Sequence, residues 1–382
     1  MIYQTPQMSF EEDAALDRIN HLWRELRYYV SEHRRWVGSV RRVLGARAIQ
    51  GSNSIEGYNV SVEDALAALE GEEPVEAEAE NWNAVMGYRR ALTFVLQLAH
   101  DPSFKYTPEV IKSLHFMMTE YSLDASPGLW RQGPIWIRND ATGDIVYEGP
   151  EYEQVPALVD ELMAELDSDG QSQPLIRAGM AHLNLVMIHP FRDGNGRMAR
   201  CLQTLVLARE QIIPKDFSSI EEYLGTNTDS YYRILAVVGQ GRWNPEQDAR
   251  LWVRYCLEAH YIQGLSVLRR VRESEELWRE LGALREQHKL PDRTMAALFD
   301  AAIRLRVRNA SYRASLDEWG EPVSAQVATD DLRAMVNAGL LSKQGEKRGT
   351  FYEAAQPLQE LRERVQSGRK PLSADDLFKI AA

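Results

Sequence analysis

The sequence predicts an all-α, mainly helical fold, and three observations carry that expectation. Apolar residues recur at three- and four-residue spacing through most of the chain. Period-two patterning is confined to two short stretches, each wrapped around turn residues. No apolar run reaches the length of a membrane span, so no membrane partner is expected. The 382 residues suggest two or three domains with ample room for a core, and 44% hydrophobic with 26% charged residues is the composition of a soluble globular protein. A net charge of −12 and a pI near 5.3 argue against a whole-protein nucleic-acid binder while leaving room for a local basic surface. The two cysteines, Cys201 and Cys256, lie inside helical patterns and read as buried free thiols. Glu11, Glu12 and Asp13 stand where a signal peptide would need a basic start and an apolar centre, so a cytoplasmic location is expected.

Leu16, Ile19, Trp23 and Leu26 mark an amphipathic first helix that continues toward Val30. Val37 to Gln50 reads as a second, interrupted by Gly51 to Asn59. Ser61 with Glu63 and Asp64 opens a third, running to about Glu70, and the acidic stretch Gly71 to Glu80 reads as a solvated link. Helices follow at Asn81 to His100 and Thr107 to Glu120. The period then changes. Apolar runs at Ile135 to Ile137 and Ile145 to Tyr147 flank Asn139-Asp140-Ala141-Thr142-Gly143-Asp144, a β-hairpin pattern. Further helices are expected at Gln154 to Leu166, Pro174 to Ile188, Asn195 to Glu210, Ser230 to Val238 and Pro245 to Ile262, with Gln263 to Gln287 as a charge-rich connector.

Toward the C-terminus, Met295 to Arg308 and Ser324 to Ala338 are helical, with Gly339 as the stop. Leu340 to Lys343 and Thr350 to Glu353 then form a second hairpin around Gln344 to Gly349. Helix, turn, helix, hairpin is the order of a winged helix-turn-helix. Thr329 to Arg333 would lie on its recognition helix, and Lys343, Lys347 and Arg348 on its wing. Asp330, Asp331 and Glu346 dilute that charge, which favours protein docking or dimer formation over DNA binding.

The most informative stretch is His189-Pro190-Phe191-Arg192-Asp193-Gly194-Asn195-Gly196-Arg197-Met198-Ala199-Arg200. Gly194-Asn195-Gly196 between two helices allows a tight turn and close approach to a ligand. The free N–H groups and dipole of the following helix favour an anion there. Arg197 and Arg200, three apart, project from one face of its first turn. Two cationic forks beside an anion hole suit a chain of phosphates better than one carboxylate. Asp193 is placed to hold a Mg²⁺ bridging those phosphates. His189, ending the preceding helix, has an ordinary pKa near neutrality and is able to take a proton from a hydroxyl. Phe191 is expected to pack beneath the loop. These residue types therefore point to a hydroxyl attacking a nucleotide phosphate, with His189 as base and pyrophosphate leaving against Mg²⁺ and the arginines.

The stretch resembles the Fic (filamentation induced by cAMP) family motif His-x-Phe-x-(Asp/Glu)-Gly-Asn-Gly-Arg-x-x-Arg at every fixed position. The resemblance implies a helical bundle around the loop and transfer of AMP from ATP to a Ser, Thr or Tyr hydroxyl of a protein. It implies His189 as base, Asp193 as Mg²⁺ ligand, and Asn195 with the backbone of Gly194 and Gly196 around the α-phosphate. Arg197 and Arg200 would hold the β- and γ-phosphates. The Pro127 to Tyr147 hairpin is similar to the family's flap, which aligns the target segment as an added strand, and an exposed strand edge suits that role. Asp229-Ser230-Tyr231-Tyr232 looks like the segment that closes over adenine, through Tyr231 or Tyr232.

Ser52-Asn53-Ser54-Ile55-Glu56-Gly57 resembles the family's inhibitory motif, (Ser/Thr)-x-x-x-Glu-(Gly/Asn). Ser52 and Glu56 share one side of a helical turn, and Gly57 suits its end. The implied device is Glu56 paired with Arg200 in place of the γ-phosphate. The expected organisation is an N-terminal helical region at 1–100 with the inhibitory motif at 52–57, a catalytic core at 101–262 and a connecting helix at 263–289. A winged helix at 290–355 and a tail at 356–382 complete it. Partners implied are a protein target, the protein itself as a self-modification substrate, and a second copy in a homodimer. Two other functions compete: the same site removing AMP or moving another phosphate-containing group, and a nucleotide-sensing DNA-binding regulator.

Overall fold

Helix ends follow the capping chemistry of the sequence. Ser61 Oγ accepts the Asp64 N–H at 3.0 Å, and Thr107 caps a helix whose first residue is Pro108. Gly71, at positive φ, closes the helix that Ser61 opens, and Gly339, also at positive φ, follows the end of another where a side chain would be strained. The structure, a computed structural model, describes residues 1–31, 34–74, 76–138, 143–168, 173–210 and 219–379, with the side chains of Ser31 and Arg348 left aside.

The helices in chain order are α1 (Phe10–Ser31), α2 (Val37–Ile55), α3 (Val62–Glu70), α4 (Ala79–Leu98), α5 (Pro108–Thr119), α6 (Val155–Asp167), α7 (Pro174–Ile188), α8 (Asn195–Arg209), α9 (Glu221–Thr226), α10 (Thr228–Gly239) and α11 (Arg250–Gln287). Then come α12 (Met295–Ala302), α13 (Asn309–Glu318), α14 (Ala325–Asn337) and α15 (Gln356–Gln366). Two antiparallel hairpins complete the described elements, β1 (Trp136–Arg138) with β2 (Ile145–Glu148) and β3 (Leu341–Gln344) with β4 (Phe351–Ala354). Among the described residues no helix is long and apolar enough to cross a membrane.

The chain divides into two compact units. The first takes Met1–Arg27, Leu44–Leu265 and Ser373–Ala382, the second Tyr28–Val43 and Ser266–Leu372. In the first unit α7 and α8 pack closely, α4 lies against α5 and α8, and α6 covers α7. A buried polar chain ties this bundle together. His182 Nδ1 lies 2.6 Å from Gln203 Oε1, His182 Nε2 2.9 Å from the Tyr231 hydroxyl, and Gln203 Nε2 3.2 Å from His260 Nε2. The order that satisfies every member has His182 donating to Gln203, Gln203 donating to His260 and Tyr231 donating to His182. Burial lowers both imidazoles to about 3, so the network is neutral.

In the second unit α12 and α14 pack on the β3–β4 hairpin, α13 packs on α12 and α14, and Val307 pairs with Tyr352 on the far side of β4. Asp331 of α14 turns inward, binding Arg293 through both oxygens at 2.7 and 2.9 Å and accepting from the Tyr312 hydroxyl at 3.0 Å. It therefore does not dilute the surface charge of α14, as its place in the sequence had implied. Burial against the Arg293 fork outweighs its i+1 neighbourhood to exposed Asp330.

Several boundaries depart from the sequence expectation. Gly51 does not interrupt α2, which runs on to Ile55. A Cβ at Gly51 would lie 2.4 Å from the Glu221 carbonyl oxygen, so the glycine serves close backbone approach by α9 instead of a break. The stretches 245–262 and 263–287, read as separate, form the single helix α11, because Gly264 between them packs against Leu22 of α1. α9, α13 and α15 were not expected; α9 and α13 are short, and α15 lies in the stretch read as tail. The first hairpin's turn, Asn139 to Thr142, lies outside the described residues.

Candidate active site

The loop between α7 and α8 is shaped by its own backbone. His189 ends α7 in the left-handed region at φ 51°, its N–H donating to Leu185 O at 3.1 Å. That conformation is uncommon outside glycine and asparagine and turns the chain sharply into Pro190. Gly194, at φ 76°, starts α8. Asn195 closes the turn with both ends of its amide, Oδ1 accepting from Phe191 N–H and Nδ2 donating to Phe191 O, each at 2.9 Å. Its side chain thus shapes the loop, and the loop's backbone faces any ligand.

Residues distant in sequence hold this turn from outside. Phe191 is fully buried and stacks on His115 at 3.7 Å with planes 7° apart. His115 Nδ1 accepts the Gly128 N–H at 2.9 Å, so its Nε2 carries the hydrogen that reaches Asp193 O at 3.0 Å. Burial lowers the His115 imidazole to about 4, consistent with that neutral form. Arg131 is a strut between loop and hairpin. Its Nε donates to His189 O at 2.9 Å, Nη1 to Gly133 O at 2.7 Å and Nη2 to Pro150 O at 2.5 Å. Tyr147 of β2 donates its hydroxyl to Met187 O at 2.7 Å, fixing the hairpin to the last turn of α7. Trp136, Ile145 and Val146 of the hairpin are exposed.

His189 Nδ1 lies 3.0 Å from Val186 O, which assigns the hydrogen to Nδ1 and leaves Nε2 with a free lone pair. Burial lowers its pKa to about 4, against opposing contributions from the Val186 carbonyl and Glu56. At neutral pH the ring is a neutral proton acceptor.

Both motif arginines are buried, Arg197 at 0% and Arg200 at 1% side-chain exposure. Their partners differ. Arg200 Nε donates to Ser52 Oγ at 2.8 Å, and Nη2 donates to Ser52 O at 2.9 Å and Glu56 Oε1 at 2.7 Å. Burial is the largest influence and opposes its charge, but Glu56, with the Tyr231 and Tyr88 side chains beside it, raises its pKa on balance. The Glu56 carboxylate reaches the first turn of α8, since a Cβ on Gly196 would lie 2.2 Å from its Oε1. A carboxylate of the chain itself thus sits at the helix N-terminus, where an anion is favoured. Arg197, by contrast, makes no hydrogen bond from any of its three nitrogens among the described residues. Its guanidinium lies 4.8 Å from the centroid of the Tyr58 ring and 3.8 Å from Asp193 Oδ2.

Asp193 is 52% exposed, and among the described residues no three His, Cys, Asp or Glu side chains cluster to hold a metal alone. One exposed carboxylate beside an anion site still fits Mg²⁺, whose other ligands are commonly water and phosphate oxygens. The two adenine-segment tyrosines part company. Tyr231 faces the core with its hydroxyl on His182, whereas Tyr232 is 46% exposed and donates to Ile55 O at 3.1 Å, beside Glu56. Sequence reading missed Arg131, His115 and Tyr58, which meet the loop only through tertiary contacts. Tyr58 alone carried a signal, its position immediately after Glu56-Gly57.

Residues 105–207 match a family model described as Fic/DOC family. Among curated proteins the chain is similar to protein adenylyltransferase fic-1 of Caenorhabditis briggsae, 30% identical over 206 residues, covering 53% of this chain and 37% of that protein. Protein adenylyltransferase fic-1 of Caenorhabditis elegans is 30% identical over 209 residues, with the same shares. The chain thus spans well under half the length of these relatives. Among solved structures, a Fic family protein from Desulfovibrio desulfuricans G20 superposes with a TM-score of 0.59 at 20% identity, covering 93% of this chain and 99% of that one. Fic-1 from C. elegans superposes with a TM-score of 0.52 at 22% identity, covering 67% and 72%. With the His189–Arg200 motif inside the matched span, residues 105–207 form a domain of the Fic/DOC family.

Proposed function

We propose that this chain is an autoinhibited protein adenylyltransferase that moves AMP from ATP to a Ser, Thr or Tyr hydroxyl of a protein, itself included. The observation that carries the reading is Glu56, a carboxylate held on Arg200 at the start of α8. A negative group already occupies the ground that a terminal phosphate would need.

His189 Nε2 accepts the proton of the attacking hydroxyl as its oxygen bonds to the α-phosphorus. The bond from that phosphorus to the bridging oxygen breaks, and pyrophosphate leaves against Arg197 and, once Glu56 withdraws, Arg200. Backbone N–H groups of Gly194, Asn195 and Gly196 face the α-phosphate, while the Asn195 amide keeps the turn closed. Tyr232 flanks the adenine side. Asp193 would hold Mg²⁺, which supplies charge neutralisation to the phosphates when bound. The β1–β2 hairpin, with its exposed strands, serves as the flap that receives the target segment.

In this reading the catalytic core is 101–262, preceded by the inhibitory segment at 52–57. Residues 290–355 act as a winged helix for protein docking or self-association, and the protein works in the cytoplasm. The test incubates wild type, Glu56→Gly and His189→Ala with Mg²⁺ and ATP labelled on the α-phosphate, then reads intact mass and label. An AMP adduct that rises sharply in Glu56→Gly and is absent in His189→Ala is the expected result. Equal labelling of wild type and Glu56→Gly would refute inhibition by Glu56. Loss of a preformed adduct on adding the wild-type protein would instead assign AMP removal to the site.

A further inference from the structure

The arginine without hydrogen bonds and the tyrosine that covers it belong together. Arg197 is fully buried, yet none of its nitrogens donates to a group among the described residues. A buried guanidinium in that condition is costly unless something stabilises its charge. The Tyr58 ring does so from the face, 4.8 Å from the guanidinium carbon. An aromatic ring on the face attracts the cation and leaves all five N–H groups at the edge available. Asp193 Oδ2 stands 3.8 Å from Nη2, beyond hydrogen-bond reach, so it does not occupy that edge as Ser52 and Glu56 occupy Arg200.

The backbone sets the ring there deliberately. Gly57 at φ 84° ends α2, and Tyr58 N–H turns back to Asn53 O at 3.1 Å. The hydroxyl end of the ring lies beside the Tyr121 side chain.

We infer that Tyr58 is a positioning residue that presents Arg197, edge outward, to the anionic ligand. The inference rests on the nucleotide reading above. It gives two residues of one segment opposite jobs: Glu56 occupies the anion site, and Tyr58 prepares it. Removing the first should strengthen ATP binding, and removing the second should weaken it.

The test measures binding of ATP with Mg²⁺ by calorimetry in proteins carrying His189→Ala, so that nothing turns over. Glu56→Gly is added first, then Tyr58→Phe or Tyr58→Ala on top. Loss of the ring in Tyr58→Ala is expected to raise the Kd about tenfold. Tyr58→Phe, which keeps the ring and loses only the hydroxyl, should stay within about twofold. An unchanged or lower Kd in Tyr58→Ala would overturn the inference, the lower one by making Tyr58 a second inhibitory contact. Equal weakening by Phe and Ala would also overturn it, because the hydroxyl and not the ring would then matter. Failure of Glu56→Gly to tighten ATP binding would bring down the nucleotide reading itself, with this inference, whatever the Tyr58 variants do.

Discussion

Two buried charge clusters in this protein are built to different rules. In the second unit Asp331 is met by both arms of Arg293 and by the Tyr312 hydroxyl, so its oxygens are filled by near neighbours. In the first unit, among the described residues, Arg197 makes no hydrogen bond and Arg200 Nη1 none, and the partners of Arg200 come from a segment some 140 residues away in sequence. Satisfied buried charges hold a fold together, whereas open ones await something the chain does not supply. Breaking the first kind should remove stability, and breaking the second should remove function.

The largest expected effect is at Arg197. In the Glu56→Gly protein, Arg197→Ala should lower AMP transfer by roughly 10³-fold while thermal unfolding moves by no more than about 1 kcal/mol. Label incorporation and a melting curve on the same sample decide it; a large loss of stability would make Arg197 a structural residue. Asp331→Ala should show the reverse, losing about 3 kcal/mol of stability because Arg293 and Tyr312 are left without their acceptor. Urea titration gives that value, and an unaltered midpoint would show that the closed cluster is ornamental.

The pH profile sharpens the contrast next. With Glu56 in place His189 is held neutral down to about 4, so transfer by Glu56→Gly should stay level from neutral pH to about 5 and fall only below about 4. Removing Glu56 takes away a contribution that raises this pKa, so the midpoint should shift lower, never higher. A midpoint near the ordinary imidazole value of about 6.5 would mean that the ring is not the buried base described. Stability follows the same sign. His182, His189 and His260 all have folded pKa values below their unfolded ones, so the unfolded chain binds more protons between about 6.5 and 3. Their contribution is full at neutral pH and lost as pH falls through that window. The smallest effect is at Ser52→Ala, which takes one acceptor from Arg200 and should raise wild-type transfer about fivefold, well short of Glu56→Gly.

How much of this was legible in the sequence depended on how local the physics was. The turn between α7 and α8, the limits of those two helices and the helix start at Ser61 are set by residues within a turn of one another, and their backbone structure read correctly from spacing alone. Glu56 beside Arg200 was legible only through family resemblance, since nothing in composition joins residues 144 positions apart. Gly51 was misread because a glycine used for contact with Glu221 looks the same as one used to break a helix. Arg131 and His115 gave no signal at all. Each is a lone polar residue whose role exists only after the hairpin and α5 have folded against the loop.

Gly196 carries one further consequence. A side chain there would begin 2.2 Å from Glu56 Oε1, so if the site takes ATP as proposed, the carboxylate and an incoming phosphate compete for one volume. On the function proposed above, Glu56 behaves as a tethered competitive ligand whose strength is an effective concentration fixed by the end of α2. Such a ligand multiplies the apparent Kd for ATP by the ratio of closed to open molecules and leaves the ceiling rate untouched. Activity would then track cellular nucleotide supply, and any partner that bends the last turn of α2 would reset the concentration at which the enzyme wakes.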